Sequence, residues 1–160
     1  MNITLIQRYV HEFRSALDTV VDKRQYGRLT MFAHFPYECC GYTSDLLAEY
    51  LMQKGITRER IQFVDGESNR EEYTHCWLMI DNEVFIDVTA DQFNDKPYFS
   101  KYQPIPKCCI VWRGTYLYEC FDNPKIRYLY DVGIHSRDAS VAVKLQEIYD
   151  KIVAEIESTP

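Results

Sequence analysis

The sequence predicts an α+β domain in which helices precede and follow an antiparallel sheet. Apolar residues recur every three or four positions near both ends of the chain, which is typical of amphipathic helices. Between residues 61 and 121 the apolar period changes to two, and Gly, Pro or Asp-Asn separates the segments. This grouping indicates α+β. No linker, repeat or low-complexity tract interrupts the chain, so we expect a single domain over residues 1–160.

Two helices are expected before the strands. The first spans about residues 3 to 24, on an apolar stripe formed by Leu5, Ile6, Tyr9, Val10, Phe13, Leu17, Val20 and Val21. The second begins after Gly41, where Thr43 or Ser44 is the expected cap. Gly55 is placed to end this helix, because glycine readily adopts the backbone conformation that follows a helix.

Five strands and a closing helix complete the expected fold. The strands are expected at residues 61–64, 74–80, 84–89, 108–112 and 116–121. The closing helix has Ser136 or Asp138 as its candidate cap. Its apolar positions repeat at steps of three and four and are Val141, Leu145, Ile148, Ile152 and Ile156.

The composition restricts the partners and the location of the protein. The 24 acidic and 18 basic residues give a net charge of −6 without a Lys/Arg cluster, so we expect no nucleic-acid partner. No stretch approaches the ~20 consecutive apolar residues of a membrane-spanning helix, so we expect no membrane partner. The first residues lack the features of a secretion signal, and we therefore expect a cytoplasmic protein whose six cysteines are reduced.

A cysteine at the start of a helix is the first candidate for chemistry. Cys40 stands where unpaired backbone N–H groups and the helix dipole favour a thiolate, which is the nucleophilic form of the side chain. Gly41 leaves the approach to the sulfur open. The adjacent Cys39 is the alternative nucleophile. A small buried apolar side chain is the other role open to Cys40.

His75 and Asp87 are the candidates for a general base and for the carboxylate that orients it. With a three-residue loop at residues 81–83, residue 80 lies opposite residue 84, and Asp87 becomes the diagonal neighbour of His75. A carboxylate at that distance reaches an imidazole N–H and fixes its tautomer. A two-residue loop would place the two side chains on opposite faces of the sheet unless a β-bulge shifted one strand, so the hairpin register is itself a prediction.

The motifs around these residues resemble the transglutaminase-like branch of the papain-like cysteine enzyme superfamily. The similarity covers about residues 30 to 95: Cys-Gly at a helix start, His-x-Trp on a strand, and Ile-Asp-x-Thr-x-x-Gln-Phe on the next strand. It implies a papain-like core in which the helix of the nucleophile packs on an antiparallel sheet. It also implies Cys40 as nucleophile, His75 as general base and acid, and Asp87 as the orienting third member.

The resemblance implies a reaction class more firmly than a substrate. Members include peptidases, amidases, deamidases, transglutaminases and acyltransferases, so we expect acyl transfer through a thioester on Cys40. The expected partners are peptide, protein or small amide or ester substrates, and no cofactor or metal is implied. Where the papain-like enzymes have a glutamine six residues before the nucleophile, this chain has His34. Gln92 is the candidate oxyanion helper in its place, and a loop hydrogen bond is the alternative role for Gln92.

Two other functions compete with catalysis. A zinc site would draw on Cys39, Cys40, His75, Cys76, Cys108 or Cys109. This set lacks a Cys-x-x-Cys pair, and adjacent residues on a strand point to opposite faces, which hampers joint coordination. The third hypothesis is a non-catalytic binding module whose aromatic side chains form a recognition surface. A thiol of low pKa at position 40 would distinguish an enzyme from such a module.

Overall fold

The computed structural model describes residues 2–68, 73–121, 125–127 and 132–159. Helix α1 spans Ile3–Asp22 and confirms the first expected helix. The Asn2 side chain caps it by accepting a hydrogen bond from the Leu5 N–H at 3.2 Å. The apolar stripe of α1 is buried, with Val10, Phe13 and Leu17 inaccessible to solvent. The burial of this stripe, rather than helix propensity alone, stabilises α1.

Helix α2 spans Cys40–Gln53 and begins earlier than the capping pattern predicts. The Thr43 N–H already donates to the Cys39 carbonyl at 2.9 Å, which is the first intrahelical bond. Thr43 and Ser44 are therefore buried inside the first turns, and their prediction as caps is wrong. Gly55 follows the helix at a positive φ of 90°, as predicted for its end.

Helix α3 spans Ala139–Ser158 and is the closing helix that the periodicity predicts. Of the two candidate caps, Asp138 takes the role, because its carboxylate accepts hydrogen bonds from the Ser140 and Val141 N–H groups at 3.1 and 3.2 Å. Helix α3 packs along α1, and its Tyr149 hydroxyl donates at 2.9 Å to Gln53 Oε1 at the end of α2. The two terminal helices therefore cover the same side of the molecule as α2.

The described strands form one antiparallel sheet of order β4-β3-β2-β1-β5. Their bounds are β1 Ile61–Glu67, β2 Thr74–Ile80, β3 Val84–Asp87, β4 Cys109–Trp112 and β5 Lys125–Arg127. An α+β fold with an antiparallel sheet and with helices at both ends of the chain is thus confirmed. The periodicity did not predict β5.

One expected strand is wrong: Tyr116–Cys120 is a 3-10 helix. Tyr116 has a positive φ of 64°, which breaks the extended conformation at the first residue. Leu117 and Cys120, three residues apart, are both buried, and this spacing brings them to one side of a 3-10 turn. The segment has the aromatic and apolar composition of a strand, but it forms a helical turn that packs against the sheet.

Two hydrophobic clusters lie on opposite faces of the sheet. Leu78 and Ile80 of β2 belong to the cluster that the three helices cover. Trp77 and Met79 of the same strand belong to the second cluster, which residues from the segment 90–121 complete. Gly66 on β1 makes room for this packing, because a Cβ there would lie 2.4 Å from the Trp77 ring. No helix of the described chain has both the length and the apolar character required to cross a membrane.

Candidate active site

The hairpin between β2 and β3 brings His75 and Asp87 together. Ile80 lies opposite Val84, and Leu78 lies opposite Ile86, which is the register expected for a three-residue loop. Asp81 and Asn82 adopt positive φ values of 53° and 61° to make this turn. The His75 Nε2 atom lies 2.6 Å from the Asp87 Oδ2 atom, and both side chains are buried. The predicted diagonal contact is confirmed.

Asp87 is held by donors from three directions. Its Oδ1 atom accepts from the Thr89 N–H at 2.8 Å and from the Thr89 hydroxyl at 3.0 Å. Its Oδ2 atom accepts from the Tyr118 hydroxyl at 2.9 Å, in addition to the contact with His75. Burial alone would raise the pKa of Asp87, but the charge of His75 and these hydrogen bonds hold the pKa below its usual value. The carboxylate is therefore ionised.

His75 is surrounded by aromatic rings and paired through Nε2 with a carboxylate. The ring of Phe93 lies edge-on at a centroid distance of 4.9 Å, and Trp77 and Phe121 lie at 5.7 and 5.9 Å. Burial lowers the pKa of His75, but the charge and hydrogen bond of Asp87 outweigh it, and Cys40 adds to their effect. The pKa of His75 is thereby raised to about 10. The favoured form is an imidazolium.

Cys40 is half-buried as the first residue of α2 and interacts with His75. A hydrogen bond from the Cys76 thiol lowers the pKa of the Cys40 thiol most. Burial acts in the opposite direction, while the hydrogen bond and charge of His75 and the Cys76 N–H lower the pKa further. The pKa of Cys76 is raised, first by the Cys40 thiolate and then by burial. Of the two sulfurs, Cys40 therefore carries the negative charge.

Cys76 lies where strand alternation directs it, on the face of the sheet that α2 covers. Its Sγ atom would lie 3.8 Å from a Cβ placed on Gly41, and its carbonyl oxygen lies 3.4 Å from the Ser44 hydroxyl. The sulfur also lies 3.6 Å from Asp65 Oδ1. The sequence indicates Cys76 only as a candidate zinc ligand, because its contact with the start of α2 depends on the packing of helix on sheet.

Cys39 occupies a different environment from that of Cys40. Its side chain is buried, and its thiol donates to the Pro36 carbonyl at 3.6 Å. Burial raises the pKa of Cys39 to about 12. The structure thus gives the two adjacent thiols opposite pKa shifts, and it brings His75 to Cys40.

Gln92 and His34 differ in their relation to the site. The Gln92 Nε2 atom lies 3.2 Å from His75 Nδ1 and donates to the Thr89 carbonyl at 2.9 Å. The second bond is the loop contact expected as its alternative role. Gln92 thus lies beside the imidazole nitrogen that Asp87 does not occupy, and its role as oxyanion helper stays a prediction. His34 is exposed at the end of the 3-10 helix Thr30–His34.

Thr89 and Tyr118 are members of the site that sequence reasoning missed. The Asp-x-Thr spacing contains a signal for Thr89, because an Asp side chain commonly accepts from the N–H two residues later. Tyr118 lies 31 residues beyond Asp87 and carries no comparable signal. Its contact depends on the 3-10 helix that the periodicity misassigned.

The described residues contain no group of three or more His, Cys, Asp or Glu side chains that could hold a metal ion. The zinc alternative therefore has no donor set within that part of the chain. The chain matches no family model, and comparisons with curated proteins and with solved structures find no significant match.

Proposed function

We propose that the protein is a thiol-dependent acyl-transfer enzyme in which Cys40, His75 and Asp87 act as a catalytic triad. The observation that carries the proposal is the buried pair of His75 and Asp87, 2.6 Å apart, beside a thiol at the first residue of a helix. A buried imidazolium and a thiolate in contact are an activated nucleophile with its acid already protonated. Perturbed pKa values of this kind cluster at functional sites.

The fold supports the papain-like, transglutaminase-like assignment as part of the same proposal. The thiol begins the helix that packs on the sheet, and adjacent antiparallel strands carry the imidazole and the carboxylate. This is the arrangement that the sequence resemblance implies. We therefore infer the reaction class of that superfamily, on an amide or ester of a peptide, a protein or a small molecule.

The first half of the proposed reaction forms a thioester. The Cys40 thiolate attacks the carbonyl carbon, and the electron pair of the C=O bond moves to the oxygen. In this proposal, backbone N–H groups at the start of α2 donate to the resulting oxyanion and stabilise it. The intermediate collapses, the bond to the leaving group breaks, and His75 gives its Nδ1 proton to the departing amine or alcohol. Asp87 stays ionised and stabilises the imidazolium on the Nε2 side.

The second half of the proposed reaction regenerates the enzyme. His75, now neutral, removes a proton from water or from an acceptor amine as that group attacks the thioester carbonyl carbon. The second tetrahedral intermediate then expels the Cys40 thiolate, and the imidazolium is restored. Hydrolysis and transfer differ only in the acceptor, so the chemistry of the triad is the same for both.

Intact-mass analysis with an activated ester tests this proposal. The wild type is expected to gain one acyl group, whereas Cys40→Ala gains none and His75→Ala acylates much more slowly. Cys39→Ala is the matched control, and it is expected to acylate like the wild type. Acylation that persists in Cys40→Ala and disappears in Cys39→Ala would reassign the nucleophile, and a wild type inert to every activated ester would contradict the proposed function.

A further inference from the structure

A cavity opens beside the first turn of α2, one residue away from Cys40. Its volume is about 290 Å³, and the described residues that line it are Glu38, Gly41, Tyr42, Cys76 and Arg137. This volume is close to the lower end of the range for small-molecule sites. A substrate attached to Cys40 would have this space next to its acyl group.

Arg137 is the fixed cation of this cavity. Its Nε atom donates to Asp45 Oδ2 at 2.5 Å, and Asp45 is inaccessible to solvent. The guanidinium lies 5.3 Å from the centroid of the Tyr42 ring. With 22% of its side chain exposed, Arg137 reaches the cavity while the buried carboxylate and the aromatic ring hold its orientation. A group held in this way loses little conformational freedom when it binds a ligand.

The guanidinium borders the space that Gly41 leaves open. The Arg137 Nη2 atom would lie 3.5 Å from a Cβ on Gly41, the residue that follows Cys40. Arginine has five N–H donors in a planar fork that matches a carboxylate. Glu38 is the acidic residue of the lining, but it is exposed, and water screens its charge. Asp45 accepts from the Nε side of the guanidinium, while the Nη2 atom faces the space beside Gly41, where it can donate to a ligand.

We propose that this cavity is a subsite for a carboxylate group of the substrate and that Arg137 binds that group. The inference rests on the proposed function, because it concerns the substrate that Cys40 attacks. It adds the substrate class: acyl compounds that carry a carboxylate within a few atoms of the reacting carbonyl. Arg137 then determines specificity, and its ion pair with Asp45 positions it.

Two alkylating reagents of similar size test the subsite without knowledge of the substrate. Iodoacetate carries a carboxylate and iodoacetamide does not, and intact mass with peptide mapping gives the rate constant for each at Cys40. The measured quantity is the ratio of the iodoacetate rate to the iodoacetamide rate. Arg137→Gln is expected to lower this ratio about tenfold relative to the wild type, because it removes a charge-assisted contact. Glu38→Gln is expected to raise the ratio about twofold.

A second measurement keeps the test decisive if Arg137→Gln fails to fold because the buried Asp45 loses its ion pair with the guanidinium. In the wild type, propionate is expected to slow the reaction of Cys40 with iodoacetamide more than propionamide does at equal concentration. Equal protection by the two compounds, or an unchanged ratio in folded Arg137→Gln, overturns the carboxylate subsite. These failures leave the proposed function intact. A Cys40 that does not react even with iodoacetamide overturns the proposed function and the subsite together.

Discussion

The Tyr118 hydroxyl donates a hydrogen bond of 2.9 Å to the Oδ2 atom of Asp87, the same oxygen that contacts His75. Tyr118 belongs to the 3-10 helix Tyr116–Cys120, and its side chain reaches β3 from the face opposite the helices. Burial, and then the charge of Asp87, raise the pKa of Tyr118 well above its usual value, so the hydroxyl stays protonated. Tyr118 therefore helps to keep a buried carboxylate ionised.

Replacement of this tyrosine tests how much the hydrogen bond contributes. Tyr118→Phe is expected to lower the free energy of unfolding by about 1.5–3 kcal/mol, because it removes a donor from a buried charged group. It should also slow acylation of Cys40, since Asp87 loses a donor that keeps it ionised and fixes its position. A carboxylate that is less well held stabilises the His75 imidazolium less. Urea unfolding and the acylation rate measure the two effects.

Tyr116→Phe is the matched control for Tyr118→Phe. The Tyr116 hydroxyl donates to the neutral Tyr102 carbonyl at 2.8 Å, and Tyr116 lies on the same 3-10 helix. A neutral hydrogen bond of this kind contributes only about 0.5–1.5 kcal/mol. Equal losses of stability and of acylation rate in the two variants would contradict a special role for Tyr118.

The pKa shifts of His75 and Cys40 also predict how stability depends on pH. His75 holds its proton up to about pH 10 when folded but only up to about pH 6.5 when unfolded. Its stabilising contribution is therefore complete below about pH 6.5 and is lost as the pH rises through about 10. Cys40 acts in the opposite sense: its pKa is lowered from about 9, so its contribution is present above that value and is lost as the pH falls through the folded pKa.

The pH dependences of the two contributions cancel between about pH 6.5 and pH 9, because folded and unfolded states then bind the same number of protons at this pair. The free energy of unfolding of the wild type should be nearly independent of pH in that window. Cys40→Ala removes one contribution, so its stability should decline as the pH rises through the same window. Urea unfolding at several pH values measures both slopes, and identical slopes would show that Cys40 and His75 are not an ion pair.

Local patterns in the sequence were enough to predict most of the elements and the meeting of His75 with Asp87. Strand alternation and a three-residue loop determine that contact, because both concern neighbouring segments. Contacts between segments that are distant in the sequence could not be predicted in this way. Asp45 with Arg137 and Asp87 with Tyr118 depend on how helices and turns pack onto the sheet, and nothing in the sequence pattern specifies that packing. The strand β5, of only three residues, is too short to show a period.

The hydrogen bond from Cys76 predicts a measurable shift in the reactivity of Cys40. Cys76→Ala removes the largest of the interactions that lower the pKa of Cys40, while His75 and the backbone N–H at position 76 are retained. The pH at which alkylation of Cys40 reaches half its maximal rate should therefore move upward. Cys108→Ala is the matched control, because Cys108 is also half-buried but its thiol lies near the Val10 carbonyl, at 3.9 Å. An equal shift in both variants, or no shift in Cys76→Ala, would show that the Cys76 thiol does not lower the pKa of Cys40.

The close approach of β1 and the Trp77 ring predicts that Gly66 is essential to the packing behind His75. A Cβ at position 66 would lie 2.4 Å from the Trp77 ring and 3.1 Å from the Phe121 Cβ atom, so Gly66→Ala must displace side chains that contact the imidazole. Overpacking of this kind costs about 1–3 kcal/mol of unfolding free energy. Acylation of Cys40 should slow as well, because His75 loses the support of both rings.

Gly41→Ala serves as the stability control for Gly66→Ala. The nearest atom to a Cβ at position 41 lies at 3.5 Å, which is ordinary contact, and the residue is helical. Its effect on the free energy of unfolding should stay within about 0.5 kcal/mol. Urea unfolding of the two alanine variants measures the difference. If Gly66→Ala proved as stable as Gly41→Ala and acylated at the wild-type rate, the Trp77 ring would not constrain His75, and the rigidity of the imidazole would have to come from its other contacts, with Asp87, Phe93 and Gln92.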